Sequence, residues 1–358
     1  MRTPPKSRPN RRSGLGRTEE DAVIGKTLCT LLAAVAWLAP AVPAGAQPPA
    51  APPSAAAPDD GQVSELVVVA HPLGPALWRV QVGTSTMMIL GSVTPMHQQQ
   101  HWDQRQIRAA LDGARVLLTP PRPDLGPLQL ISLITTNIWK VRQNEPVESL
   151  MPPDLRARFD AARARAGYQK VERYAHWKPA VAGFLLQSDY RRAFGFSEGK
   201  PGTTVEKMAR QMHVATQPVG TVRVGLLMKV AAKLDAKANL QCLTDALDDM
   251  EYEAAHASDL NDDWARGDVL SINARYRISA VQRCLERAPG AEALIQEEQQ
   301  RAADRLWSEL QKPGKSVVVI DMAWLLPKGG LLDQLRARGA VIGPPPALQA
   351  AAAEPEVQ

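Results

Sequence analysis

The chain has 358 residues, 45% of them hydrophobic and 22% charged, enough to build one large domain or two small ones around a buried core. Its formal charge of +5 resides mostly in residues 1–46, where seven Lys and Arg face three acids. The 35 basic and 34 acidic residues that remain nearly cancel, which removes the electrostatic footprint expected of a protein that binds nucleic acid or an anionic membrane.

In chain order, basic residues ending at Lys26 precede an apolar run from Leu28 to Val42, and Ala44-Gly45-Ala46 follows with small residues at cleavage spacing. Together they read as a secretory signal peptide over residues 1–46. The run is shorter than the ~20 apolar residues that span a bilayer. The expectation is therefore a periplasmic or secreted protein with no membrane span once the leader is removed. Residues 47–62 are an Ala/Pro-rich linker without hydrophobic periodicity. Residues 63–343 form the expected folded domain, and residues 344–358 a Pro/Ala-rich disordered tail. Leu66 to Ala70 reads as a strand; with Ser64-Glu65 it also suggests a short docking segment, so an adaptor recruited through Val63–Ala70 is one reading.

Strands are expected at Leu77–Val82 and Thr86–Leu90, joined by a hairpin-sized turn at Gly83-Thr84-Ser85. A helix follows from Trp102 to a Gly113 cap, then a buried strand at Val116–Leu118. From Leu128 to about Gln311 the pattern is helical, punctuated by Pro179, Pro201 and Pro289, with one strand near Pro218–Gly220. Val317–Ile320 is a buried strand, Leu331–Arg338 a helix, and Gly339–Ile342 a closing strand. The fold class this implies is α+β: N- and C-terminal α/β pieces joined into one central mixed sheet, flanking a large helical insertion.

Cys29 leaves with the leader. Cys242 and Cys284 remain, an even count in an oxidising compartment, compatible with a disulfide that staples two helices or with two buried thiols. His97 and His101 stand at i, i+4, a spacing that holds zinc when both lie on one helical turn, yet no Glu lies between them and the context is a polar loop. The acids Asp245, Asp248, Asp249, Glu251 and Glu253 lack calcium-loop spacing and read as a solvated helix face. Asp268 stands where it would cap the next helix. No Gly-x-Ser-x-Gly elbow, P-loop or dinucleotide fingerprint is present.

Four blocks carry a family resemblance: Trp78 to Trp102, with Gly91 and Thr94; Gly202 to Val222; Trp264-Ala265-Arg266-Gly267-Asp268; and Val317 to Gly339, with Asp321, Trp324 and the Gly329-Gly330 helix. Over roughly Pro75 to Ile342 the chain resembles the TraB/GumN (Tiki-like) family. The resemblance implies residues gathered at strand ends to bind a divalent metal such as zinc, manganese or cobalt, which activates water for peptide hydrolysis. Here Thr94 stands at the first histidine position, Trp324 at the second, and Asp321 at the second glycine. Thr119 stands near the acid position, and Val222 or a neighbour at a further Glu. The strand ends are thus expected to carry neither imidazole nor carboxylate. The reading that follows is a divergent, catalytically degenerate member without cofactor. It would bind a peptide or envelope component in a pocket at Gly91, Thr94, Thr119, Asp321 and Trp324. The alternative is a metal-dependent hydrolase with a relocated site at His97 and His101.

Overall fold

The computed structural model describes residues 74–123, 138–167, 172–197 and 199–345. The expected leader, linker and strand at Leu66–Ala70 lie outside these residues, as does the expected tail beyond Pro345.

The N-terminal piece is a hairpin, β1 (Leu77–Val82) and β2 (Ser85–Ser92), paired antiparallel across Gly83, whose φ of +54° only glycine adopts without strain. A two-residue strand β3 (Met96–His97) and helix α1 (Arg105–Leu111) lead to β4 (Ala114–Thr119) and the short β5 (Arg122–Pro123). α1 begins three residues later than its apolar spacing suggests, because the Asp103 carboxylate accepts the Arg105 N–H at 2.8 Å and holds the chain in a turn.

The helical middle contains α2 (Pro153–Arg165), α3 (Glu172–Ala175) and α4 (Pro179–Ala193), then β6 (Phe196–Ser197), α5 (Gly202–Gln211), β7 (Ala215–Pro218) and β8 (Thr221–Val222). It continues through α6 (Val224–Ala231), α7 (Ala236–Arg266), α8 (Val269–Arg275), α9 (Ala280–Glu286) and α10 (Ala291–Leu310). Pro153 and Pro179 open their helices in the first turn, where a missing N–H costs nothing. Asp235, Asp268 and Ser279 cap α7, α8 and α9 through their side chains.

The C-terminal piece is β9 (Gly314–Asp321), α11 (Met322–Leu325), α12 (Leu331–Ala337) and β10 (Val341–Gly343). Gly339, at φ +98°, ends the preceding helix in a left-handed turn, so the last strand starts two residues later than its sequence suggests.

The two α/β pieces form one mixed sheet in the order β10-β1-β2-β9-β4-β7. β9 lies between β2 and β4 and runs parallel to both, with Ser92 opposite Asp321. Val317 to Ile320 are buried without alternation, as expected for a central parallel strand covered on both faces. The fold is the α+β arrangement expected, its insertion running from α2 to α10. A second core joins α2, α3, α4 and α7 through Phe159, Tyr174, Leu186, Leu243 and Met250. Among the described residues no helix is long and apolar enough to cross a membrane.

Candidate functional site at the strand ends

β2, β9, β4 and β7 run parallel, so their carboxyl ends share one edge of the sheet. Open α/β sheets commonly take ligands at such an edge, because loops diverge there and leave a crevice. A cavity of about 400 Å³ occupies it. The sheet wall comprises Thr94 and Pro95 after β2, Pro120 and Pro121 after β4, and Asp321 and Trp324 at the end of β9. The facing wall comes from the helices: Arg191 of α4, Asp249, Tyr252, Glu253 and His256 of α7, and Tyr276 and Arg277 between α8 and α9.

Asp321 is the polar centre of the sheet wall. It caps α11, accepting the Ala323 N–H at 2.8 Å, while the Tyr276 hydroxyl reaches across the cavity to within 2.8 Å of Oδ1 and 2.9 Å of Oδ2. Burial pushes its carboxyl above the ordinary carboxylate range, against the opposing pull of hydrogen bonds from Ala323, Tyr276 and Thr94. Burial, reinforced by the neighbouring Asp321 charge, holds the Tyr276 hydroxyl well above its usual value.

The helical wall is a ladder of ion pairs. Glu253 accepts two bonds from Arg191, one of them Nε to Oε2 at 3.0 Å, and a third from Gln187 at 3.2 Å. Burial still pushes the Glu253 carboxyl up despite the Arg191 charge. Asp249 accepts the Ala280 N–H and an Arg283 N–H, both at 2.7 Å, and one turn earlier Asp245 pairs with Arg287. The Cys242–Cys284 disulfide ties the same two helices, α7 and α9. At the cavity mouth the Arg277 guanidinium lies 3.5 Å from the Tyr252 ring centre, and His256 stacks on Tyr252 at 4.1 Å.

The expectation of a solvated acidic face on α7 is therefore corrected. Asp245, Asp249 and Glu253 are 6–7% exposed and point inward to arginines, and only Asp248 and Glu251 face solvent, where both pair with Arg158. A polar face can be buried when each charge meets a partner.

The Trp-x-x-Gly-Asp block locks the sheet to α7. The Trp264 indole N–H donates to the Gly91 carbonyl at 2.7 Å. Gly267 sits at φ +74°, where an added Cβ would lie 2.6 Å from the Gly74 carbonyl oxygen. Asp268 then caps α8 by accepting the Ser271 N–H at 3.0 Å, which holds its carboxyl below the ordinary range. A model of the TraB/PrgY/gumN family matches residues 76–344.

The chain belongs to the TraB/PrgY/gumN family. No curated protein and no solved structure matches it.

Of the positions read from the family pattern, Thr94, Asp321, Trp324 and Val222 line the cavity. Gly91 and Thr119 do not. Gly91 is packed under Met322 and Trp78, and Thr119 is buried at the end of β4 behind Pro120, its hydroxyl without a hydrogen-bond partner among the described residues. His97 and His101 do not share a helical turn: His97 lies in β3 with its ring 4.2 Å from that of Phe196, tilted against it, while His101 is exposed beyond it. The histidine on the cavity wall is His256. The expectation of strand ends without a carboxylate is also corrected, because the β9 end turns Asp321 toward the cavity.

These side chains do not fit the divalent metal that the resemblance implies. Indole has no lone pair to offer, a threonine hydroxyl is a poor transition-metal ligand, and Asp321, whose two oxygens share the single Tyr276 O–H, is left as a lone carboxylate beside them. Among the described residues no group of three or more His, Cys, Asp or Glu is placed to share a cation.

Sequence reasoning missed Tyr276, Arg191 and His256 because each reaches the cavity from a helix or loop remote in sequence from the strand ends. One signal was available: Asp245 and Asp249 repeat at the four-residue spacing of Arg283 and Arg287, which suits two antiparallel helices exchanging charges.

Proposed function

We propose that the protein is a secreted, periplasmic member of the TraB/PrgY/gumN family that has given up metal-dependent hydrolysis and acts by binding a peptide or envelope component in the strand-end cavity. One observation carries this reading: threonine and indole stand where imidazoles would be needed, and the remaining strand-end carboxyl is held by Tyr276 and Ala323. Pro95, Pro120, Pro121, Tyr252, Tyr276 and Trp324 give the wall an apolar part beside the charged groups of the helices. It suits the apolar side chains and extended backbone of a peptide, with a few polar groups to orient it.

The full chain, expressed with its leader and recovered from the periplasm, tests the reading. The expected result is an N-terminus at Gln47, and less than stoichiometric zinc, manganese or cobalt after gel filtration. No cleavage of a mixed peptide library is expected with or without added metal. Stoichiometric metal accompanied by cleavage that a chelator abolishes would establish the relocated-site hydrolase instead. Retention in the cytoplasm would remove the secretory part of the proposal.

A further inference from the structure

Among the described residues, six of the seven buried carboxyls are matched with cations. Asp189 meets Arg173 and Arg192, Asp245 meets Arg287, and Asp249 meets Arg283. Glu253 meets Arg191, Asp263 meets Arg266 and Arg275, and Glu309 meets Arg115 and Lys312. Two carboxyls depart from the pattern. Glu148 lies away from the strand ends, in a shallow pocket beside Arg156 and Arg163. The other is Asp321, only half-buried because it borders the cavity, whose partners are a phenol, a backbone N–H and a threonine, none of them charged.

That difference has an energetic meaning. A carboxylate withdrawn from water costs several kcal/mol unless a counter-charge and hydrogen bonds replace its hydration, on the order of what Born estimates give after relaxation. At the six ion-paired sites the protein supplies the counter-charge itself. At Asp321 the remaining side of the carboxyl faces the cavity, and the group there is left for the ligand to complete. The aromatic rings around it are suited to the same charge. Trp324 and Tyr276 line the cavity beside it, and ring faces attract cations while excluding water.

The cavity's own cations do not fill this role. Arg191 is occupied by Glu253 and Arg275 by Asp263. Arg277 is exposed at the mouth, stacked on Tyr252 and free to keep its hydration.

We infer that the cavity receives the cationic group of its ligand, a primary ammonium carried next to an apolar or aromatic body, on the carboxylate of Asp321. A lysine side chain or a free amino terminus has this chemistry. The inference rests on the binding function proposed above and deepens it by naming what the ligand must present.

The test uses three fragments of one shape and different charge: benzylamine, benzyl alcohol and phenylacetate. Each is titrated into the purified mature protein by calorimetry and by ligand-detected NMR. Benzylamine should bind saturably and at least about tenfold more tightly than benzyl alcohol, the ratio expected for a charge-assisted hydrogen bond. Phenylacetate should bind more weakly than either. Asp321→Asn should bring benzylamine down to the level of benzyl alcohol. Because that variant also alters the α11 cap, Tyr276→Phe provides a second measurement. It keeps the carboxylate, removes the competing phenol, and should hold or improve benzylamine affinity.

Equal binding of benzylamine and benzyl alcohol, preference for phenylacetate, or unaltered benzylamine affinity in folded Asp321→Asn would overturn the assignment while leaving a binding cavity in place. Failure of all three fragments to bind would overturn it as well. Failure of the binding function itself shows separately, as metal-dependent cleavage of peptides.

Discussion

The sheet wall of the cavity places its polar groups through neutral partners, whereas the helical wall places them through ion pairs. On the sheet side Asp321 meets a phenol and an amide, and behind that wall Gly91 offers its carbonyl to an indole. On the helical side Asp245, Asp249 and Glu253 form a stripe along α7, each clamped by an arginine from α9 or α4. One wall is held in shape by the close packing of strands and glycines, the other by charges that hold helices together. The first leaves a carboxyl unmatched in the cavity; the second leaves none. Breaking each wall in turn should therefore give different consequences.

The largest effect is expected on the helical wall. Asp249→Ala removes the acceptor of both the Ala280 N–H and the Arg283 guanidinium, and loss of one member of a buried pair costs about 3–5 kcal/mol. Asp248→Ala, one residue away but half-exposed, should cost less than about 1 kcal/mol. Urea unfolding of both variants checks the contrast, and similar losses would mean that the stripe is not buried in solution. Next comes the disulfide. Replacing both Cys242 and Cys284 by alanine frees a 42-residue separation between α7 and α9, for a loss of about 2–4 kcal/mol. If the helical wall depends on this clamp, the variant should also bind benzylamine less tightly without any change at Asp321.

A smaller loss is expected in the packing behind the sheet wall, from Gly91→Ala. The new Cβ would lie 2.8 Å from two Met322 side-chain atoms and 3.0 Å from Trp78. Overpacking of this kind costs about 1–3 kcal/mol, and the flexible methionine can yield part of the space. Thermal unfolding measures the loss. A variant as stable as the parent would show that Gly91 is not required for close packing.

The two walls also differ in how far they can be read from the chain alone. The strands of the sheet wall follow from runs such as Val317–Ile320, and the Trp264 block follows from residues whose roles are local: a left-handed glycine, a capping aspartate, an indole donor. The insertion of β9 between β2 and β4 is not local, and no periodicity encodes it. The helical wall was misread because composition alone makes five acids on one helix look solvated. Their burial depends on arginines 34 and 42 positions away in sequence for Asp249 and Asp245. Asp321 was legible as a departure from the family pattern, but its exposure to the cavity required the turn into α11.

The subtlest difference between the walls is in proton linkage at Asp321. Burial raises its carboxyl in the folded protein above the value it takes in the unfolded chain. The folded state therefore binds this proton more tightly, and the group favours folding while it is protonated. As pH rises from the ordinary carboxylate value toward the raised one, the unfolded chain ionises first and that advantage disappears. Stability of the parent relative to Asp321→Asn should fall through this window and level off above it. Glu253, also raised by burial against the Arg191 charge, is present in both proteins and cancels in the difference. Urea unfolding at a series of pH values gives the comparison directly. A difference that rises with pH would mean that Asp321 is stabilised as a carboxylate by a cation, which would place the counter-charge within the protein and not on its ligand.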